Sequence, residues 1–248
     1  MVNAERTACE RSTDMTTSPE MDQPGPYALL QHVFESRHSC RGFRSDPVPE
    51  PTIRRILDIA RKTASWCNAQ PWRLVITSGA ATERLRLALL QQVDSGGGAA
   101  PDFPFPREYH GVYLDRRREC GFQLYETVGI ARGDRVASAR QGRENFRLFG
   151  APHVCIVTTD EGLGVYGAVD CGAFVANFMT AAQSLGVATI AQAALASQSA
   201  FLRDHFNIDE TRRIVCGISF GYEDTDHPAN RFRTSRACID DITEWLTE

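Results

Sequence analysis

Between Ala168 and Leu185 the chain carries Val169, Cys171, Ala173, Phe174, Val175, Ala176, Phe178, Met179, Ala181 and Ala182. That spacing predicts a helix apolar on nearly every side, and such a helix has no face to give to water. In a chain of 248 residues it belongs in the middle of a core or in a large subunit interface. Gly186 is well placed as its C′ residue. No apolar run reaches the roughly 18 residues of a membrane span, so the expected cover is protein and not lipid.

The rest of the chain must supply that cover. Arg73–Thr77, His153–Thr158, Val187–Ile190 and Ile214–Ser219 read as strands. Residues 79–93 and 197–206 read as helices, as does Ile53–Lys62 with Thr52 as N-cap. Residues 108–149 read as helical and charged. The Gly- and Pro-rich stretch Asp94–Arg107 reads as a loop, and the insert 94–120 as a candidate lid. Residues 1–26 are polar, carry both signs of charge and lack the apolar run of a secretory signal. They read as a flexible N-terminal tail ahead of one domain over 27–248.

Composition narrows the class. With 42% hydrophobic and 23% charged residues the chain is an ordinary soluble globular sequence, with no membrane partner expected. A net charge of −4 argues against nucleic acid. The eight cysteines contain no C-x-x-C, which excludes zinc ribbons and thioredoxin-like motifs; no metal site is expected. Cys155 and Cys216 sit in apolar runs, where a thiol is a small hydrophobe. A reducing cytoplasm accounts for such usage.

Two arginine clusters carry the chemistry. Arg37-His38-Ser39-Cys40-Arg41, with Arg44 beyond, follows the amphipathic run Ala28–Glu35, so its cations stand where a helix runs out into a loop. Guanidiniums, an imidazole and a hydroxyl form a donor set suited to a dianionic phosphate. The second cluster, Arg231-Phe232-Arg233-Thr234-Ser235-Arg236, lies in a loop past the last strand. Two clusters near opposite ends of the fold can converge on one phosphate; each alone also reads as a solvated basic loop. Between them, Ser65, Asn68 and Gln70 can bond a heterocycle with donors and acceptors, or their own backbone in a turn.

Gly162-Leu163-Gly164-Val165-Tyr166-Gly167 matches the dinucleotide fingerprint G-x-G-x-x-G after a strand and before a helix. Asp160 and Glu161 beside the first glycine would repel a pyrophosphate. Gln192 stands at the end of the next strand, where an acid should hold the ribose.

The ordered set R-H-S-C-R-x-F, P-V-P, A-R-x-x-x-S-x-x-N-x-Q-P-W, F-G-A-P, L-G-V-A-T and G-Y-x-D-x-x-x-P-x-N-R-F-R-T-S-R, from about residue 27 to 240, resembles the FMN-dependent nitroreductase family. Tyr125–Gly133 and Phe149–Pro152 are similar to its nitrobenzoate-reductase-like branch. The resemblance implies an α+β, three-layer sandwich with a mostly antiparallel sheet, built as an intertwined homodimer with FMN at the interface. It assigns Arg37, His38 and Ser39 to the phosphate and ribityl end, and Arg41 to the flavin's N1/O2 edge. Arg236 and Arg233 complete the phosphate clamp. Ser65, Asn68 and Gln70 reach the ring from the other subunit, the backbone at Gln192–Ala193 faces N5, and Asn145 and Arg147 lie toward the pyrimidine edge.

Ala64 stands where the family usually has proline, and Trp66 and Cys67 are bulkier than usual, which assigns those two to the substrate pocket. The implied activity is ping-pong hydride transfer from NADH or NADPH through flavin N5 to nitroaromatic or quinone-like acceptors. No side chain is named as catalytic, since the flavin carries the chemistry. The alternatives are other flavin chemistry (dehalogenation, flavin fragmentation, metabolite tailoring) or a non-enzymatic flavin- or nucleotide-binding protein.

Overall fold

The computed structural model describes residues 25–247. The expected tail lies outside the described residues except at Gly25 and Pro26, and Pro26 already opens the first helix, α1 (Pro26–Ser36). None of α1 is buried within the chain; Tyr27, Leu29, Leu30 and Phe34 are all exposed. Helix α2 (Glu50–Ala60) starts earlier than Thr52 suggested, with Pro49 as its N-cap residue. Proline suits that first turn, where N–H groups have no intrahelical partner. Ile53, Ile56 and Ala60 form its buried face.

Strand β1 (Arg73–Thr77) and helix α3 (Ala80–Asp94) follow, then α4 (Gly111–Thr127) and α5 (Arg135–Arg143), neither with a buried residue. Strand β2 (His153–Asp160), helix α6 (Gly164–Ser184) and strand β3 (Ala188–Gln192) lead to the short helices α7 (Ala193–Ala196) and α8 (Ser199–Phe206) and the last strand, β4 (Arg212–Gly221). The sheet order is β1-β2-β4-β3, antiparallel at each pairing. A single parallel bridge, Ser39 to Thr189, lays the segment after α1 along the outer edge of β3.

Side-chain alternation along β2 divides the core. Cys155 and Val157 face Phe174, Phe178, Ala181 and Ala182 of α6 and Ile56 of α2. Val154 and Ile156 face Leu85 and Leu89 of α3, Leu195 of α7 and Leu202 of α8. Helices therefore cover both faces, which makes three layers. On β4 the alternation breaks at Val215: Cys216 pairs with Val157 but Ile214 with Thr158. That bulge carries Ile214 to one core while Cys216, Ile218 and Phe220 stay in the other. Burial pushes the Cys216 thiol up to about 12 and that of Cys171 to about 11, so both remain thiols at neutral pH.

The apolar helix is covered on one side only. Phe174 and Phe178 are buried against the sheet, whereas Val169, Gly172, Ala173 and Ala176 are exposed. The expectation that no segment has the makings of a membrane span needs correction, because Glu161–Ser184 is long and apolar enough by length and composition. Its packing on the sheet and the Asp170 carboxylate, which accepts from the Trp66 N–H at 3.1 Å, give it a place within protein.

The dinucleotide reading of Gly162–Gly167 fails on topology. Strand β2 is antiparallel to both neighbours, whereas a Rossmann unit needs parallel strands around its helix. Asp160 accepts from Gly162 N at 2.9 Å and closes the turn on itself. Gly167 is needed for packing: a methyl there would run into Thr159 Oγ1.

The insert after α3 is anchored at its start. Ala100 N donates to Ser197 O at 2.8 Å, and the 5%-exposed Asp102 side chain accepts from Arg203 Nη1 at 2.5 Å and Ile214 N at 2.7 Å. Any lid motion would have to begin beyond Asp102.

Candidate active site

The end of α1 and the C-terminal arm meet in one cleft of about 710 Å³. Arg37, His38, Ser39 and Arg41 line it from the first cluster, and Arg233 and Arg236 from the second. Phe34, Ala176, Met179 and Phe232 give it apolar walls, and Cys120 of α4 also reaches it. The volume lies in the range of small-molecule and cofactor sites. Cationic donors and apolar walls in one cleft suit a planar ligand with a dianionic tail.

Local structure holds each cation in place. The chain leaves α1 with Arg37 N bonded to Val33 O (3.1 Å). Cys40 N then donates to Thr189 O (3.0 Å) and Arg44 N to Tyr222 O (2.9 Å), so residues 39–44 lie pinned across the sheet edge. His38 Nε2 bonds Glu223 Oε1 at 3.0 Å. Burial lowers the pKa of Arg37, with a second contribution from Arg236; burial likewise lowers that of Arg41. Arg41 Nη1 donates to Ser39 O at 3.2 Å, and its guanidinium lies 5.4 Å from the Phe232 ring centroid. Among the described residues, Arg233 and Arg236 bond nearby atoms of their own loop, such as Asn230 O and Thr234 Oγ1.

Ser65, Trp66, Cys67, Asn68 and Gln70 do not join this cleft within one chain. They form a tight turn in which Gln70 N donates to Ser65 Oγ (2.9 Å) and Gln70 Nε2 to Asn68 Oδ1 (3.1 Å). Cys67, Asn68 and Gln70 all have positive φ (47°, 57° and 47°). Three left-handed non-glycine residues in one turn store strain of a kind that clusters at functional sites. The Trp66 ring, 64% exposed, lies 5.1 Å from that of Tyr166 at the start of α6. The cleft instead adjoins Ala176 and Thr180, about 15 Å further along the helix at 1.5 Å per residue.

Gln192 and Asn145 come together. Gln192 is buried, donates to Asn145 O (2.9 Å) and accepts from Ser219 Oγ (2.5 Å); its side chain is turned inward. Ala191 and Ala193, either side of it, are exposed. Arg147 pairs with Glu144 at 3.4 Å and lines a second groove that shares Arg41 and includes Phe149 and His227.

Two structural residues escaped the sequence reading. Asn230, 4% exposed, bonds Arg41 N and Gly42 O. Arg212, 7% exposed, donates to Pro71 O and Thr158 O, both at 2.8 Å, tying the strained turn to the sheet. Asn230 lies within a quoted motif, but its amide role depends on a contact between chain ends.

The fold and this cleft define a class, and sequence comparison agrees: residues 34–222 match the model of the nitroreductase family, and the chain belongs to that family. It is 33% identical over 233 residues to the nitroreductase NfnB of Mycolicibacterium smegmatis, covering 93% of this chain and 97% of that one. It is 32% identical to a 4-nitrobenzoate reductase of Pseudomonas putida, covering 88% and 98%. Among solved structures, the FMN-dependent nitroreductase NfnB from Mycobacterium smegmatis in complex with NADPH superposes with a TM-score of 0.84. The identity there is 31%, with 88% of this chain and 98% of that one covered.

Proposed function

We propose that this chain is an FMN-dependent oxidoreductase that uses NADH or NADPH to reduce nitroaromatic or quinone-like acceptors. The observation that carries the reading is the convergence of Arg37, Arg41, Arg233 and Arg236 on one cleft with apolar walls, in a member of a family whose relatives are nitroreductases. The chemistry that bound FMN would supply is hydride transfer through N5 from NAD(P)H to the acceptor, in a ping-pong cycle. The residues hold and tune the FMN. Arg37 and Arg236, with Arg233, would grip the phosphate through charge-assisted hydrogen bonds, with His38 and Ser39 at the phosphate and ribityl end. Arg41 supplies positive charge beside the ring, which favours the negative charge gained on reduction. Asn145 and Arg147 serve the pyrimidine edge, and the backbone at Gln192–Ala193 the reactive face.

The site is completed by a second copy. The exposed small-residue face of α6 and the exposed apolar residues of α1 are the surfaces a two-fold partner would cover. A two-fold axis across α6 sets the N-terminal half of one helix beside the C-terminal half of the other. Ser65, Asn68 and Gln70 of one subunit are thereby brought to the arginine cleft of its mate, with Trp66 and Cys67 narrowing the slot for the acceptor. Thiols kept buried in the core suit a cytoplasmic setting.

The test is the visible spectrum of the purified protein, followed by NADH and NADPH oxidation with 4-nitrobenzoate and with a quinone. A yellow protein that consumes reductant only when acceptor is present supports the reading. A colourless protein that takes up no added FMN, or a flavoprotein that oxidises neither nucleotide, overturns it.

A further inference from the structure

We infer that Asn230 is the positioning residue for Arg41, and through it sets how much more tightly this site holds reduced than oxidised FMN; the inference rests on the reading just given. The Asn230 carboxamide is buried, and its bonds stay within the protein. Oδ1 accepts from Arg41 N at 2.6 Å, while Nδ2 donates to Gly42 O at 2.9 Å and Asp224 O at 2.8 Å. Both amide hydrogens are used, so Asn230 offers no donor to a ligand. Two of the three bonds grip consecutive residues, Arg41 and Gly42.

The surroundings leave that grip little play. Asp224 N also donates to Gly42 O (3.0 Å), and a side chain at Gly42 would run into the His227 ring. Arg41 stands between two openings, the arginine cleft and the groove lined by Arg147 and Phe149. Where its backbone sits therefore decides which of them receives the guanidinium. Arg37 and Arg236 are assigned to a phosphate whose charge is the same in both redox states, so their loss weakens both states alike. Arg41 is the cation whose contribution differs between the states, and Asn230 acts through it.

The experiment is a double-mutant cycle on the full chain: wild type, Asn230→Ala, Arg41→Ala and the pair. The FMN midpoint potential, the Kd for oxidised FMN and the apo-protein Tm are measured for each. Asn230→Ala is expected to weaken the reduced form about tenfold more than the oxidised form, taking one charge-assisted contact as the scale. For a two-electron couple that is a fall of about 30 mV. Arg41→Ala should lower the potential at least as far, and the pair no further. A lower Tm with an unchanged potential, or additive shifts in the pair, overturns the inference. Should Asn230→Ala fail to fold, Asn230→Leu, which keeps the volume and removes the acceptor for Arg41 N, is read in the same cycle by the same criteria. A wild type that holds no FMN sinks the functional reading and this inference together. A normal wild type beside an Asn230 variant of unchanged potential sinks only this one.

Discussion

Arg37, at the end of α1, and Arg236, in the arm beyond β4, line one cleft closely enough that the charge of Arg236 lowers the pKa of Arg37. Two cations brought together repel unless an anion lies between them. Arg37→Ala and Arg236→Ala should each weaken FMN binding by about tenfold to a hundredfold, the loss of one charge-assisted contact of roughly 1.5–3 kcal/mol. The apo-protein Tm should hold or rise, because a like-charge contact is removed. Flavin fluorescence titration and thermal melting check the two halves separately, and a large fall in apo stability would count against the assignment.

His153 makes folding sensitive to acid. Burial lowers its pKa, opposed in part by its bond to Thr77 O. Nδ1 donates to that carbonyl at 3.1 Å while Nε2 accepts from Val48 N at 2.9 Å, an arrangement open only to the neutral ring. Protonation therefore favours the unfolded chain. Its contribution to stability is complete above the ordinary histidine value of about 6.5 and falls as pH drops below it. Urea melts between pH 5 and 8 should show stability rising with pH, with a smaller slope in His153→Gln.

Gly164 sits at φ +53° with open space around it, while Gly167 packs on Thr159. Gly164→Ala should cost about 1–3 kcal/mol of backbone strain and leave FMN binding intact. Gly167→Ala should destabilise by about 1–3 kcal/mol through overpacking. Loss of nucleotide binding in Gly164→Ala without loss of stability would revive the dinucleotide reading.

Phe178 is fully buried, with its ring edge-on to Phe220 at 5.6 Å. Phe178→Ala should cost about 3–5 kcal/mol in a denaturant melt.

Ala173 lies on the exposed face of α6 and lines none of the clefts described above. The wild type should sediment at twice its 27.5 kDa chain mass. Ala173→Glu should run as a monomer that retains FMN poorly, since the Ser65–Gln70 turn of the mate is then missing. A wild-type monomer that still holds FMN would count against the shared site.

Much of the local structure was legible from residue order. Strand β1 was read at its observed bounds, and β2, β3 and β4 were each located but read too short, because their ends are set by pairing across the sheet. Helix α2 began earlier than its hydroxyl suggested because Pro49 and Pro51 shape its first turn. The Rossmann-like glycines were already discounted by Asp160 and Glu161 beside them, but a six-residue pattern cannot report that the strand before it has antiparallel neighbours.

By itself the sequence determined the apolar helix, the alternating strands and two donor-rich arginine runs, since periodicity and side-chain chemistry are properties of short stretches. Only the tertiary structure decided that those runs share a cleft, that Asn230 holds Arg41 from the far end of the chain, and that α6 keeps one small-residue face uncovered. Contacts between distant segments depend on how the sheet brings them together, and no local pattern encodes that.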